Sequence, residues 1–128
     1  MSRASILIYG RDRQLLNTRR LVLEHIGARV LVAEEVSYIA QVEPDKPIDL
    51  IILCHSLSKE QCLDALAQAR TRWPHIQSLS LISGQYGCQP ALADHIADTA
   101  KGPQELLRTV AMLIPSEPAS PADATEPA

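Results

Sequence analysis

The sequence contains no Phe, one Trp and three Tyr. A hydrophobic core must therefore be assembled from Leu, Ile, Val and Ala, side chains that pack in layers of strand and helix. No apolar run approaches the roughly 18 residues that a membrane-spanning helix needs. The opening Met-Ser-Arg-Ala leads into a four-residue apolar run, which is not a signal peptide. There is no CxxC pair. Cys54, Cys62 and Cys88 are odd in number and far apart, the pattern of free thiols in a cytoplasmic protein. Metal-ligand spacing is missing too. His25, His75 and His95 are scattered, and the neighbours Cys54 and His55 would point to opposite faces of a strand. Neither GxxxxGK[ST], GxGxxG nor GxSxG occurs, so Ser83-Gly84-Gln85-Tyr86-Gly87 reads as a connection and not as a phosphate cradle.

An excess of positive charge is also absent. The 12 Lys and Arg face 15 Asp and Glu, for a net charge of −3. Glu117, Asp123 and Glu126 lie beyond residue 114, so residues 1–114 are electrically balanced. That excludes a broad basic surface for nucleic acid. Arg19, Arg20 and Arg29 are read as a solvated helix face. With 128 residues the chain has room for one domain.

What is present alternates. Ser5-Ile6-Leu7-Ile8-Tyr9 predicts a strand, and Asp12 caps a helix carrying Leu15, Leu16, Val22, Leu23 and Ile26 that stops at Gly27. Residues 29–33 predict a second strand and 35–43 a short helix. Residues 48–54 predict a third strand whose near-continuous apolar run suits a parallel sheet covered on both faces. Ser58 caps a helix to about residue 72, with Leu63, Leu66 and Ala69, and Cys62 and Ala65 nearby, on its buried face. Residues 79–82 predict a fourth strand, 90–93 a brief helix and 95–99 a weak fifth strand. Pro103 then opens a last helix striped by Leu106, Leu107, Val110, Leu113 and Ile114. The piece PSEPASPADATEPA, residues 115–128, is too poor in large apolar groups to offset its ordering entropy, and disorder is expected.

This alternation predicts an α/β fold of flavodoxin-like type: a doubly wound, parallel, five-stranded sheet of order 2-1-3-4-5 with helices on both faces, spanning residues 1–114. Ligands of such sheets sit beyond the carboxyl ends of the strands, at the switch point between strands 1 and 3. That crevice would be lined by residues 10–13, 54–58, 83–87 and 99–102, with Cys54 at its centre.

Three stretches, ILIYGRDRQLLNTRRLVLEHIG, DLIILCHSL and GPQELLRTVAML, resemble the first strand and helix, the third strand and the last helix of a response-regulator receiver domain. The resemblance covers about residues 4–114 and concerns the fold more than the activity. Receivers accept a phosphoryl group on a carboxylate at the end of strand 3. Two acids after strand 1 help hold Mg²⁺, and a Ser/Thr after strand 4 and a Lys after strand 5 contact the phosphoryl oxygens. Matched onto this sequence, the phosphoacceptor position is Cys54 and the acid pair falls on Gly10 and Arg11, with Asp12 as the nearest carboxylate. Ser83 keeps the hydroxyl position. The Lys position falls on Thr99, with Lys101 two residues on.

These substitutions imply a degenerate phosphoacceptor pocket. A thiol is a soft ligand with little preference for Mg²⁺, and Arg11 places a cation where the metal would bind; its pairing with Asp12 is expected in place of the metal. Like unit charges 4 Å apart repel by about 4 kcal/mol at an effective dielectric near 20. The expected protein is a pseudo-receiver that is not an enzyme and needs no metal or other cofactor. It would act in the cytoplasm by binding a protein partner or a second copy of itself, with no nucleic acid and no membrane involved. The resemblance implies that residues 90–113 form the face offered to partners. No output domain is expected after the last helix. The alternative of another class is a cysteine-based redox sensor using Cys54, and a further rival is a true phosphoacceptor with displaced residues.

Overall fold

The expected alternation of strand and helix is present in a computed structural model of the chain, which describes residues 4–42, 47–83, 93–99 and 102–114. The elements are β1 (Ser5–Tyr9), α1 (Arg13–His25), β2 (Arg29–Ala33), α2 (Val36–Gln41), β3 (Leu50–Leu53), α3 (Lys59–Arg72), β4 (Gln77–Ile82), β5 (His95–Asp98) and α4 (Pro103–Leu113). The five strands form one parallel sheet in the order β2-β1-β3-β4-β5. This is the flavodoxin-like topology read from the sequence. The brief helix expected over 90–93 and the tail 115–128 fall on residues that are, Ala93 apart, outside those described.

Every residue of β1 and β3 is buried, because helices cover both faces of the sheet centre. Alternate residues serve two cores. Leu7, Tyr9, Ile51 and Leu53 face α2 and α3, with Ile39, Leu66 and Trp73. Ile6, Ile8, Leu50, Ile52 and Cys54 face α1 and α4, with Leu16, Leu23, Leu106 and Val110.

The helix boundaries follow from capping. The Asp12 carboxylate accepts the Leu15 N–H at 3.2 Å, and Gly27 leaves α1 with φ of +92°, a conformation that costs other residues energy. Ser58 forms a capping box: its hydroxyl accepts the Gln61 N–H at 3.1 Å, and the Gln61 side chain accepts the Ser58 N–H at 2.8 Å. Pro103 occupies the first turn of α4, after Gly102 at φ +97°.

Several expectations need correction. β4 begins at Gln77, two residues early, because partners remote in sequence satisfy its polar start. The Asp94 carboxylate accepts both the N–H and the hydroxyl of Ser78 at 3.0 Å, and Asp94 N–H donates back to Ser78 Oγ at 2.8 Å. The Gln77 amide donates to Leu113 O at 2.8 Å. In α3 the buried stripe is Cys62, Ala65, Leu66 and Ala69, while Leu63 is 44% exposed, since it falls outside the i, i+3, i+4, i+7 series that starts at Cys62. The helix over 35–43 is shorter, at Val36–Gln41, and the 48–54 strand narrows to Leu50–Leu53. Ile26, expected on the buried stripe of α1, is 39% exposed. Free thiols were expected throughout, yet only Cys54 of the described cysteines is free; Cys62 is disulfide-bonded.

Replacing Ser58 with Ala should remove the hydroxyl half of the capping box. Denaturant unfolding is expected to show a loss of about 1 kcal/mol with the m-value unchanged.

Candidate functional site

In a parallel sheet all strands end on one side, so β1, β3, β4 and β5 deliver residues 10–12, 54–56, 83 and 99 to a single crevice. Backbone bonds fix the first two. Cys54 N–H donates to Tyr9 O at 3.0 Å, and Gly10 N–H donates to Ala33 O at 3.2 Å. Arg11 N–H donates to Ser56 Oγ at 3.1 Å, tying the loop after β1 to the loop after β3. The structure thus gathers Gly10, Arg11, Asp12 and Cys54. Ser83 and Thr99 end the neighbouring strands, with the Thr99 hydroxyl donating to Ile82 O at 3.0 Å. Lys101 lies outside the described residues.

Gly10 and Cys54 meet closely. A Cβ added to Gly10 would stand 2.9 Å from Cys54 Cβ, 3.1 Å from its sulfur and 3.2 Å from Leu16 Cδ2. The first of these distances is one that real side chains do not sustain. The position matched to an acid therefore has no room even for a methyl group.

Cys54 is 3% exposed and belongs to the core shared with α1 and α4. Burial raises its pKa, against the opposing pull of the Arg19 guanidinium. Desolvation dominates, so the group is a neutral thiol. His55, half-buried beside it, has its pKa lowered by burial and by the same Arg19, and its Nδ1 has no hydrogen-bond partner.

Arg19 is the residue the sequence misplaced. Grouped with Arg20 and Arg29 as a solvated face, it is instead 7% exposed, on the α1 stripe between Leu16 and Leu23. Its spacing, three residues after Leu16 and four before Leu23, carried the signal. Arg20 behaves as expected, pairing with Glu24 at 3.2 Å, and Arg29 is exposed. The imagined Arg11–Asp12 pair does not form among the described residues, because Asp12 is committed to its cap and Arg11 is exposed.

A second cleft of about 490 Å³ lies beside the first, lined by Tyr9, Arg11, Glu34, Glu35, Gln61 and Asp64. Glu34 there is bound to Arg13 at 3.0 Å. Burial raises the Tyr9 pKa, with Arg11 opposing. Among the described residues no three His, Cys, Asp or Glu converge to hold a metal ion. The Mg²⁺ that the receiver resemblance implies does not fit this crevice. Gly10 offers no ligand and no space, Arg11 is cationic, and Cys54 is a buried neutral thiol.

Two measurements follow from this geometry. Gly10→Ala should destabilise the fold by about 1–3 kcal/mol, read by denaturant unfolding, because the new methyl must displace Cys54 or Leu16. Alkylation of Cys54 at pH 8, followed by peptide mass mapping, should be at least about ten-fold slower in the native protein than in denaturant, since burial withholds the reactive thiolate.

No protein-family model matches the chain, and no curated protein does. Solved structures do. The non-phosphorylated HemR receiver domain from Leptospira biflexa aligns at 21% identity over 90% of this chain and 97% of its own, with a TM-score of 0.72. The signal receiver domain of an HD domain-containing protein from Pseudomonas fluorescens Pf-5 aligns at 16% identity over 88% and 94%, with a TM-score of 0.71. A CheY-like receiver domain protein from Methanospirillum hungatei JF-1 aligns at 18% identity over 87% and 93%, with a TM-score of 0.69. At such low identity it is the fold that is shared, and the chain has the fold of a response-regulator receiver domain.

Proposed function

We propose that the chain is a receiver-type signalling module that takes no part in phosphotransfer and works by engaging a protein partner. The observation that carries this reading is the contact between Gly10 and Cys54 with the Arg19 guanidinium on the same thiol. Phosphoryl transfer to a receiver needs an anionic nucleophile and clustered oxygens around a divalent ion. Here the nucleophile's place is a desolvated thiol, one acid position is filled by packing, and the charge that acts most strongly on the thiol is the Arg19 cation.

Without a reaction to perform, the module is not an enzyme and its output is binding. The described part of the face expected to meet partners, over residues 90–113, comprises β5 and α4. Both expose apolar side chains, Ile96 at 37% and Met112 at 75%. β5 is also an edge strand of the sheet. Among the described residues no helix is long and apolar enough to cross a membrane.

The redox-sensor reading draws on the Arg19 contact, which favours the Cys54 thiolate, but desolvation is the larger influence on that thiol. Incubation with acetyl phosphate and Mg²⁺, followed by intact mass measurement, separates the readings that depend on phosphate. No phosphoryl adduct is expected on the native protein. A hydroxylamine-labile adduct would overturn the proposal.

A further inference from the structure

The interior between α1 and α4 contains a cavity of about 250 Å³, walled by Leu15, Val22, Pro103 and Leu106, with Thr18, Thr99 and Arg19 as its polar groups. Arg19 is more than nine-tenths buried, and its Nη1 has no hydrogen-bond partner. No carboxylate among the described residues forms an ion pair with it. The Cys54 thiol on which it acts is a neutral and weakly accepting group. A buried guanidinium without an anion is an unfavourable arrangement, and removing a charge from water is normally offset by a counter-charge or by full hydrogen bonding. Among the described residues no carboxylate lies within ion-pair distance of Arg19, and its Nη1 is left without a partner.

We propose that this cavity binds a small monocarboxylate with an apolar body, the carboxylate pairing with the Arg19 guanidinium and the body filling the space between Leu15, Val22 and Leu106. The planar fork of Arg matches a carboxylate and strengthens the bond through charge. The apolar walls disfavour inorganic phosphate, whose remaining oxygens would lose water without gaining partners. The volume lies just below the roughly 300–1,000 Å³ of sites for drug-sized ligands, which limits the occupant to a short chain. Thr18, exposed on α1, stands at the cavity mouth. This site lies on the α1–α4 side of the sheet and holds whether or not the module accepts phosphate.

Backbone amide NMR of the full chain, titrated separately with hexanoate, 1-hexanol and inorganic phosphate, tests it. Hexanoate should produce saturable shifts at Leu15, Val22 and Leu106, while 1-hexanol, of nearly the same shape and uncharged, should bind about ten-fold more weakly. Phosphate should leave those residues unmoved. Arg19→Gln should erase the preference for hexanoate over hexanol, and Thr18→Trp should block both ligands while leaving the far core unshifted. Should Arg19→Gln fail to fold, the Thr18→Trp variant and the hexanoate–hexanol comparison still decide. The proposal is overturned if hexanoate gives no saturable shifts there, if hexanol binds equally well, if phosphate alone perturbs the same residues, or if a folded Thr18→Trp protein binds hexanoate as the parent does.

Discussion

Two strand ends sit so close together that one of them has no side chain. Gly10 at the end of β1 and Cys54 at the end of β3 approach until only hydrogen fits between backbone and thiol. The parallel pairing of β1 with β3 sets that distance, and the register from Ile6–Leu50 to Tyr9–Leu53 leaves little freedom to widen it. The centre of the crevice is consequently a packed extension of the core shared with α1 and α4. Where an acidic pocket would hold water and ions, this chain has sulfur against a backbone.

Such packing changes the local electrostatics. Carboxylates around a metal stay charged because the ion balances them. Here the thiol is neutral by desolvation, and the charge that acts on it most strongly is the Arg19 guanidinium. Burial holds the His55 ring toward its neutral form, and the same guanidinium adds to that effect. Burial is the larger influence on both groups at the end of β3; Arg19 acts on both as well, and nearby Asp12 acts on both in the opposite sense from the N-cap of α1.

Much of the architecture was legible in the sequence because it rests on local signals: near-continuous apolar strands, Asp12 and Ser58 as caps, Gly27 as a stop and Pro103 as a start. What escaped depends on partners far along the chain. The polar start of β4 looks like loop until Asp94 and Leu113 satisfy Ser78 and Gln77. Leu63 looks like core until the α3 stripe is fixed by Cys62 and Ala69. At the site, the positions of Gly10, Arg11, Asp12 and Cys54 followed from topology alone. The burial of Arg19 did not, because an arginine in a basic pair on a helix is usually solvated, whereas here it lies on the buried stripe of α1.

The reciprocal bonds between Ser78 and Asp94 have a consequence for how the chain tolerates change. They join the start of β4 to the residue preceding β5, and together with the His95–Gln77 side-chain bond at 3.0 Å they set where the last strand begins. The alignment of β5 is therefore anchored at its entry and does not have to be dictated by the span that joins it to β4. Because a slip of one residue would exchange the inward and outward faces of the strand, these bonds at its entry protect the alternation of side chains along the edge of the sheet.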